Sequence, residues 1–149
     1  QSLKVRIPAG IDDGKSIRLR GKGRSGSGGG EPGDLMLKVR VGAKAGFERK
    51  GMDVYTTVQI PFTTAVFGGE AVVPTLYGNV ICKIREGTQS GSKIRLRGKG
   101  IVSMKDSSVH GDQYVTVAIQ VPQNLSPEAK RKLREYEAVT GQNRRRYSA

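Results

Sequence analysis

Apolar and polar residues alternate along much of the chain with the two-residue period of a β-strand that buries one face. Glycine is frequent, with 21 of 149 residues, and it closely follows the alternating segments, which predicts many tight turns. The chain is therefore predicted to be mostly β. The strands predicted most clearly are Leu3–Ile7, Ile17–Leu19, Val54–Ile60 and Ile94–Leu96.

Two segments have helical rather than strand spacing. Phe62–Phe67 predicts one short helix within the β-rich region. Ser126-Pro127-Glu128 combines a serine N-cap, a proline at the first helical position and an acid in the first turn. This second helix is predicted to run to about Val139 and to end at Gly141. Its apolar stripe is thin, so we expect it to dock on the sheet or to pair with another chain.

The chain contains an internal repeat. Residues 7–23 align without gaps on residues 84–100, at a constant offset of 77, and Ile-Arg-Leu-Arg-Gly-Lys-Gly is identical in both copies. Gly33-Asp34 and the strand after it then reappear as Gly111-Asp112 and a similar strand. We call residues 7–41 the first repeat and residues 84–121 the second repeat. About thirty residues before the second repeat have no counterpart before the first, so we expect the chain to begin inside a β-domain.

The net charge of +13 indicates either an anionic partner or a generally basic surface. The basic residues alternate with apolar ones on the strands and are not interleaved with aromatic residues that could stack on bases. This pattern favours a solvated strand face, and a basic nucleic-acid-binding β protein remains the alternative. No apolar run approaches the length of a membrane span, so no membrane partner is expected.

Few residues could support catalysis or bind a metal. The single cysteine, Cys82, and the single histidine, His110, can form neither an internal disulfide nor a zinc site within the chain. Cys82 alternates with apolar residues and is predicted to lie in the core. Gly21–Gly26 spells G-x-G-x-x-G but lacks the helix that a dinucleotide site needs. We therefore predict no catalytic residues, no metal and no enzyme activity, in a protein of the reducing cytoplasm.

Several segments occur in the order found in one known family: Lys4–Gly10, Gly33–Leu35, Phe47–Gly51, Gly68–Glu70, Val73–Leu76, Gly87–Gly91, Arg97–Gly100 and Gly111-Asp112. Together they resemble the C-terminal region of DnaJ, the J-domain co-chaperone family with a zinc-binding module. The resemblance implies two tandem twisted β-sandwich domains, the first one incomplete. It divides the chain into the second half of a client-binding β-domain, a second β-domain, a C-terminal dimerisation helix and a flexible basic tail, at residues 1–48, 49–122, 123–140 and 141–149.

The same resemblance implies a function. The family holds unfolded polypeptides, forms homodimers, acts in the heat-shock and stress response, and delivers clients to a DnaK-type chaperone whose ATPase it stimulates. Leu3 and Phe47 match positions of its apolar client pocket, and Leu133 and Tyr136 are expected at the dimer contact. No cofactor is expected in this region, because the zinc module would be inserted upstream of Leu3. An assembly module without a client site is a further alternative.

Overall fold

The structure, a computed structural model, describes residues 2–23 and 30–141. Within these ranges the chain forms eight strands and two helices, and the prediction of a mostly β fold is confirmed. The elements are β1 (Ser16–Leu19), β2 (Leu35–Lys38), β3 (Glu48–Lys50), β4 (Asp53–Pro61), α1 (Phe62–Phe67), β5 (Gly69–Thr75), β6 (Gly78–Ile84), β7 (Lys93–Leu96), β8 (Gln113–Gln120) and α2 (Pro127–Thr140).

Among the described residues the strands form three sheets. β1 and β2 form an antiparallel hairpin, in which Ile17 lies opposite Leu37. The largest sheet has the order β3-β4-β8-β7, and β5 and β6 form a second hairpin. β4 and β8 are parallel, with Val54 opposite Gln113. The alternation of residues predicts strands but not their partners, so this parallel pairing emerges only from the structure.

The four-stranded sheet and the β5–β6 hairpin pack face to face as a small β-sandwich. Gln113 of β8 is fully buried between the two layers. Its side-chain amide donates to Thr56 Oγ1 on β4 at 2.9 Å and to the Pro74 carbonyl on β5 at 3.0 Å, which joins the layers across the core. The apolar core residues come from both layers and from α1: Val73, Cys82, Val115, Ile60, Ala65, Ile84 and Val117.

Both predicted helices are present. α1 follows β4 directly and buries Ala65 against the sandwich. At the start of α2, Ser126 Oγ accepts a hydrogen bond from the Ala129 backbone N–H at 3.1 Å. At its end, Gly141 adopts the left-handed conformation with φ of 67°, and its N–H donates to the Glu137 carbonyl. The predicted start and end of α2 are therefore confirmed.

The strand predicted at Leu3–Ile7 is wrong, because these residues have no strand conformation. A strand needs a neighbour to complete its hydrogen-bond ladder, and no strand of the described residues pairs with this segment. The segment at an offset of 77 is β6, which is paired along its whole length with β5. Leu3–Ile7 and the corresponding part of β6 therefore differ in whether a neighbouring strand pairs with them.

Parts of two sequence predictions lie outside the described residues, namely residues 24–26 of the glycine motif and residues 142–149 of the basic tail. Gly21, the first glycine of that motif, donates its backbone N–H to Asp34 Oδ1 at 3.0 Å and belongs to a turn. Neither helix in the described ranges has the length and apolar character that crossing a membrane requires. Cys82 is buried as predicted, and this burial raises the pKa of its thiol.

Candidate functional site

Phe47 lies between the β1–β2 hairpin and the four-stranded sheet, immediately before β3. A turn places it there, since its backbone N–H donates to the Lys44 carbonyl at 3.0 Å. Its half-buried ring lines an open cavity of about 560 Å³, together with Gly46, Glu48, Tyr55, Thr56, Thr57 and Thr116. A ligand in this cavity would contact one side of the Phe47 ring.

Aromatic rings and lysine amines lie together at this cavity. Tyr55 of β4 stacks on Tyr114 of β8, with ring centroids 5.3 Å apart. Lys50 Nζ lies 5.0 Å from the Tyr55 ring centroid, and Lys44 Nζ lies 4.8 Å from that of Phe47. The surface therefore combines aromatic rings, which can contact apolar groups, with positive charge, which can attract carboxylates. An extended peptide with both kinds of side chain fits this chemistry.

Leu3, the other predicted pocket residue, is 50% exposed in the segment without strand structure. It is absent from the described residues that line the cavity at Phe47. The structure thus does not bring Leu3 and Phe47 into one cavity, and their role in client binding stays a prediction. The residue at an offset of 77 from Leu3 is Val80, which packs against the sandwich core from β6.

A cavity of about 390 Å³ that was not predicted from the sequence lies between β6 and β7. Within the described residues each of these strands is paired on one side only, so backbone groups on its other edge are free to bind an extended chain. Extending the internal repeat upstream at the same offset of 77 could have indicated this edge, because β6 then corresponds to the segment that contains Leu3. The cavity has an apolar floor of Ile84, Ile94 and Val117 and a basic rim of Lys83, Arg85 and Lys93.

Leu133 and Tyr136 lie one helical turn apart on α2 and face Phe62 of α1 across a cavity of about 410 Å³. A second, more apolar cavity of about 440 Å³ extends this groove to Val66 and Phe67. Leu133 is 42% exposed and Tyr136 is 37% exposed, and α2 buries no residue fully. An apolar groove between α1 and α2 is therefore uncovered in the described part of the chain. The role of Leu133 and Tyr136 in dimerisation stays a prediction.

The family model described as DnaJ C terminal domain matches residues 1–122. The chain belongs to this family. Its relatives include proteins named Chaperone protein DnaJ from Exiguobacterium sp., Burkholderia pseudomallei and Lachnospira eligens, with identities of 47%, 45% and 42%. These matches cover 96%, 99% and 97% of the chain, which spans 39% of the length of each DnaJ relative. The predicted resemblance to DnaJ is confirmed.

Two arginine–aspartate pairs in this DnaJ region stabilise turns of the fold. Asp112 Oδ2 accepts hydrogen bonds from Arg95 at 2.7 and 2.9 Å, while its Oδ1 accepts the Gly98 backbone N–H at 2.9 Å. The Gly98 N–H, followed by the Arg95 side chain, lowers the pKa of Asp112. We call this arrangement the Arg–Asp clip. The first repeat has the same clip, formed by Arg18, Gly21 and Asp34.

Metal binding has no site in the described ranges, where no three or more His, Cys, Asp or Glu side chains are grouped to hold an ion.

Proposed function

We propose that this region binds non-native polypeptides as a homodimer, within a DnaJ-type protein of the cytoplasm. The family match over residues 1–122 carries the proposal. The whole protein would deliver its clients to a DnaK-type chaperone and stimulate the ATPase of that chaperone during the stress response. That activity requires a J domain, and we place the J domain and the zinc module in the part of the relatives that this chain does not span.

The two cavities support binding of an extended and partly apolar chain. The free edges of β6 and β7 can form backbone hydrogen bonds, which are largely indifferent to client sequence. The ring of Phe47 can select apolar side chains that a folded protein would bury. Non-native polypeptides offer both an unpaired backbone and exposed apolar side chains, so they match this surface better than a folded partner does.

Replacing Phe47 by serine tests the client site. The probe is reduced and carboxymethylated α-lactalbumin, a permanently unfolded protein, and its binding is measured by fluorescence anisotropy. We expect affinity to fall about tenfold, or about 1.4 kcal/mol, because the apolar contact with the ring is lost.

Met36→Ser is the matched control, since Met36 is an exposed apolar residue on β2 that does not line the Phe47 cavity. It should leave the affinity unchanged. Intact binding by Phe47→Ser would contradict the assignment and would favour the β6–β7 cavity or an assembly module without a client site.

Dimerisation is proposed through α2. Leu133 and Tyr136 leave the groove between α1 and α2 partly exposed, and covering it with a second copy would remove apolar surface from water. A dimer would place two weak client sites on one particle, and binding at the first site would raise the effective concentration at the second.

A variant with Leu133→Asp and Tyr136→Asp should sediment as a monomer, because two carboxylates would have to be buried at the contact. Arg131→Asp is the control, since it changes the net charge by the same amount and lies outside the groove. A double variant that still sediments as a dimer would exclude this face of α2.

Nucleic acid is the alternative partner, and the basic rim of the β6–β7 cavity is the observation that favours it. Binding through phosphates weakens steeply as salt rises, because counterions are released on binding. Titrations of the unfolded protein and of single-stranded and duplex DNA at increasing salt distinguish the two partners. We expect client binding to persist at moderate salt while DNA binding is lost; the reverse order would contradict the chaperone proposal.

A further inference from the structure

The side chain of Arg49 reaches from β3 to the turn at the start of the first repeat. Its Nη1 donates to the Ile11 carbonyl at 3.0 Å and its Nη2 donates to the Gly10 carbonyl at 2.7 Å. Its Nε donates to the Gly51 carbonyl at 2.8 Å, which fixes the side chain on its own hairpin. One guanidinium therefore joins three backbone carbonyls, two of which are nearly forty residues away in sequence.

The turn that Arg49 binds also packs closely against the second repeat. Gly10 has a φ of +88°, and a Cβ placed on it would lie 1.9 Å from the Val102 carbonyl oxygen. Ile11, next to it, is only 7% exposed. The backbone of the first repeat thus lies directly on residues 102–104, and no side chain larger than hydrogen fits at Gly10 without moving the two apart.

The equivalent turn of the second repeat is held differently. Gly87 and Thr88, at an offset of 77 from Gly10 and Ile11, donate their backbone N–H groups to the Ala65 carbonyl at 2.9 and 3.1 Å. That carbonyl is in α1, within the same sandwich. In the first repeat, an arginine from outside the repeat binds the carbonyls of this turn instead.

We propose that Arg49 is a positioning residue that fixes the first repeat on the sandwich and thereby sets the place of Phe47. Phe47 is two residues from Arg49 and lies in the segment that connects the first repeat to the sandwich. Release of the first repeat would therefore free this segment, and the Phe47 ring could move relative to the cavity residues on β4 and β8. The consequence for clients rests on the proposed function, whereas the contact itself does not. The ion pair adds little, because Asp12 Oδ1 lies 3.7 Å from Arg49 Nε and is about half exposed.

An arginine is required because its planar guanidinium group can donate to several carbonyls at once, whereas a lysine has a single ammonium on a flexible chain. Arg49→Ala and Arg49→Lys should therefore both release the first repeat. Arg95→Ala is the control, because it removes a guanidinium whose hydrogen bonds stay within the second repeat.

The measurement is the set of backbone N–H residual dipolar couplings of the whole chain in a weakly aligned medium. In the unmodified chain one alignment tensor should fit β1 and β2 together with β4 and β8. In Arg49→Ala the couplings of β1 and β2 should shrink by about half or more through independent motion, while those of β4 and β8 stay unchanged. A purely local loss of stability would not separate the two sets.

Unchanged couplings in β1 and β2 of Arg49→Ala would overturn the proposal. Should that variant fold poorly, as judged by the amide shifts of Val115 and Val117, Gly10→Ala disrupts the same contact from its other side and should separate the two tensors in the same way. Client affinity is then measured on the same proteins. If the unmodified chain binds no client but shows one tensor, the proposed function fails and the positioning role stands.

Discussion

Ile17–Gly23 and Ile94–Gly100 are the same seven residues, and each begins with a strand and ends in a glycine turn. In both places the arginine after the isoleucine, Arg18 or Arg95, donates to Oδ2 of an aspartate, Asp34 or Asp112. Oδ1 of the same aspartate accepts the backbone N–H of the turn glycine. The last glycine of each segment also donates its N–H to the glycine carbonyl before the aspartate: Gly23 to Gly33, and Gly100 to Gly111. The Arg–Asp clip and its hairpin therefore form from local sequence in either setting.

The surroundings of the two hairpins differ. β8 pairs with β4 as well as with β7 and lies over the β5–β6 hairpin, so Val115 is 0% exposed. Val115 lies opposite Ile94, and Leu37 lies opposite Ile17 at the equivalent position of the first hairpin. Leu37 is only half-buried. Gln113 ties the layers of the sandwich together, whereas leucine stands at the corresponding position 35. A shared motif thus specifies a hairpin, while the core depends on strands from other parts of the chain.

The largest expected difference between the two hairpins is in the free energy of unfolding lost when a charge replaces the matched apolar residues Val115 and Leu37. Val115→Asp should destabilise the sandwich by more than about 4 kcal/mol, because a carboxylate would be fully buried without a partner. Leu37→Asp should cost about 1 kcal/mol or less, since that side chain can turn towards water. Urea unfolding followed by circular dichroism measures both. Equal losses would show that the two hairpins share one core.

An intermediate difference is expected at the matched glycines Gly10 and Gly87. Both have positive φ, of 88° and 79°, so alanine costs about 1 kcal/mol of backbone strain at either. Only at Gly10 does the added Cβ meet another backbone, that of Val102, whereas nothing lies within 4 Å at Gly87. Gly10→Ala should therefore be the more destabilising in urea and should shift the amide resonances of Val102 and Met104. Equal effects at the two glycines would contradict the close packing at Gly10.

The elements that the sequence predicts correctly are those determined locally. The Ser126 cap and the Gly141 stop of α2 depend on residues within one turn of each helix end, and both are present. Alternation over Val54–Ile60 depends on one buried face, and β4 contains this segment. Cys82 alternates with apolar neighbours and lies in the core.

Sequence reasoning is wrong or incomplete where a partner distant in the chain decides the structure. Leu3–Ile7 alternates as well as β6 does, but alternation cannot show that β6 is paired and that Leu3–Ile7 has no partner among the described residues. Phe47 is predicted as a pocket residue only through the DnaJ resemblance, and that role stays a prediction. Its neighbour Tyr55 is not predicted at all, because nothing local reveals the turn that brings the two together. Arg49 reads in sequence as one basic strand residue among many.

The smallest expected difference concerns the pH dependence of the two Arg–Asp clips. The pKa of Asp112 is lowered in the folded chain, so the clip stabilises the fold above the ordinary carboxyl pKa of about 3.9. In the pH range between that ordinary value and the lower pKa of the folded chain, the unfolded chain binds the proton more readily. The contribution of the clip is therefore lost as the pH falls through this range. Asp112→Asn should flatten this acid loss of stability. The urea midpoint of the sandwich, measured from about pH 6 to about pH 2, should then fall less steeply than in the unmodified chain.

Asp34→Asn is the matched change, and it should leave the acid profile of the sandwich unmodified because the first clip lies in the separate β1–β2 hairpin. An Asp112→Asn profile parallel to that of the unmodified chain would mean that other carboxylates control the acid transition.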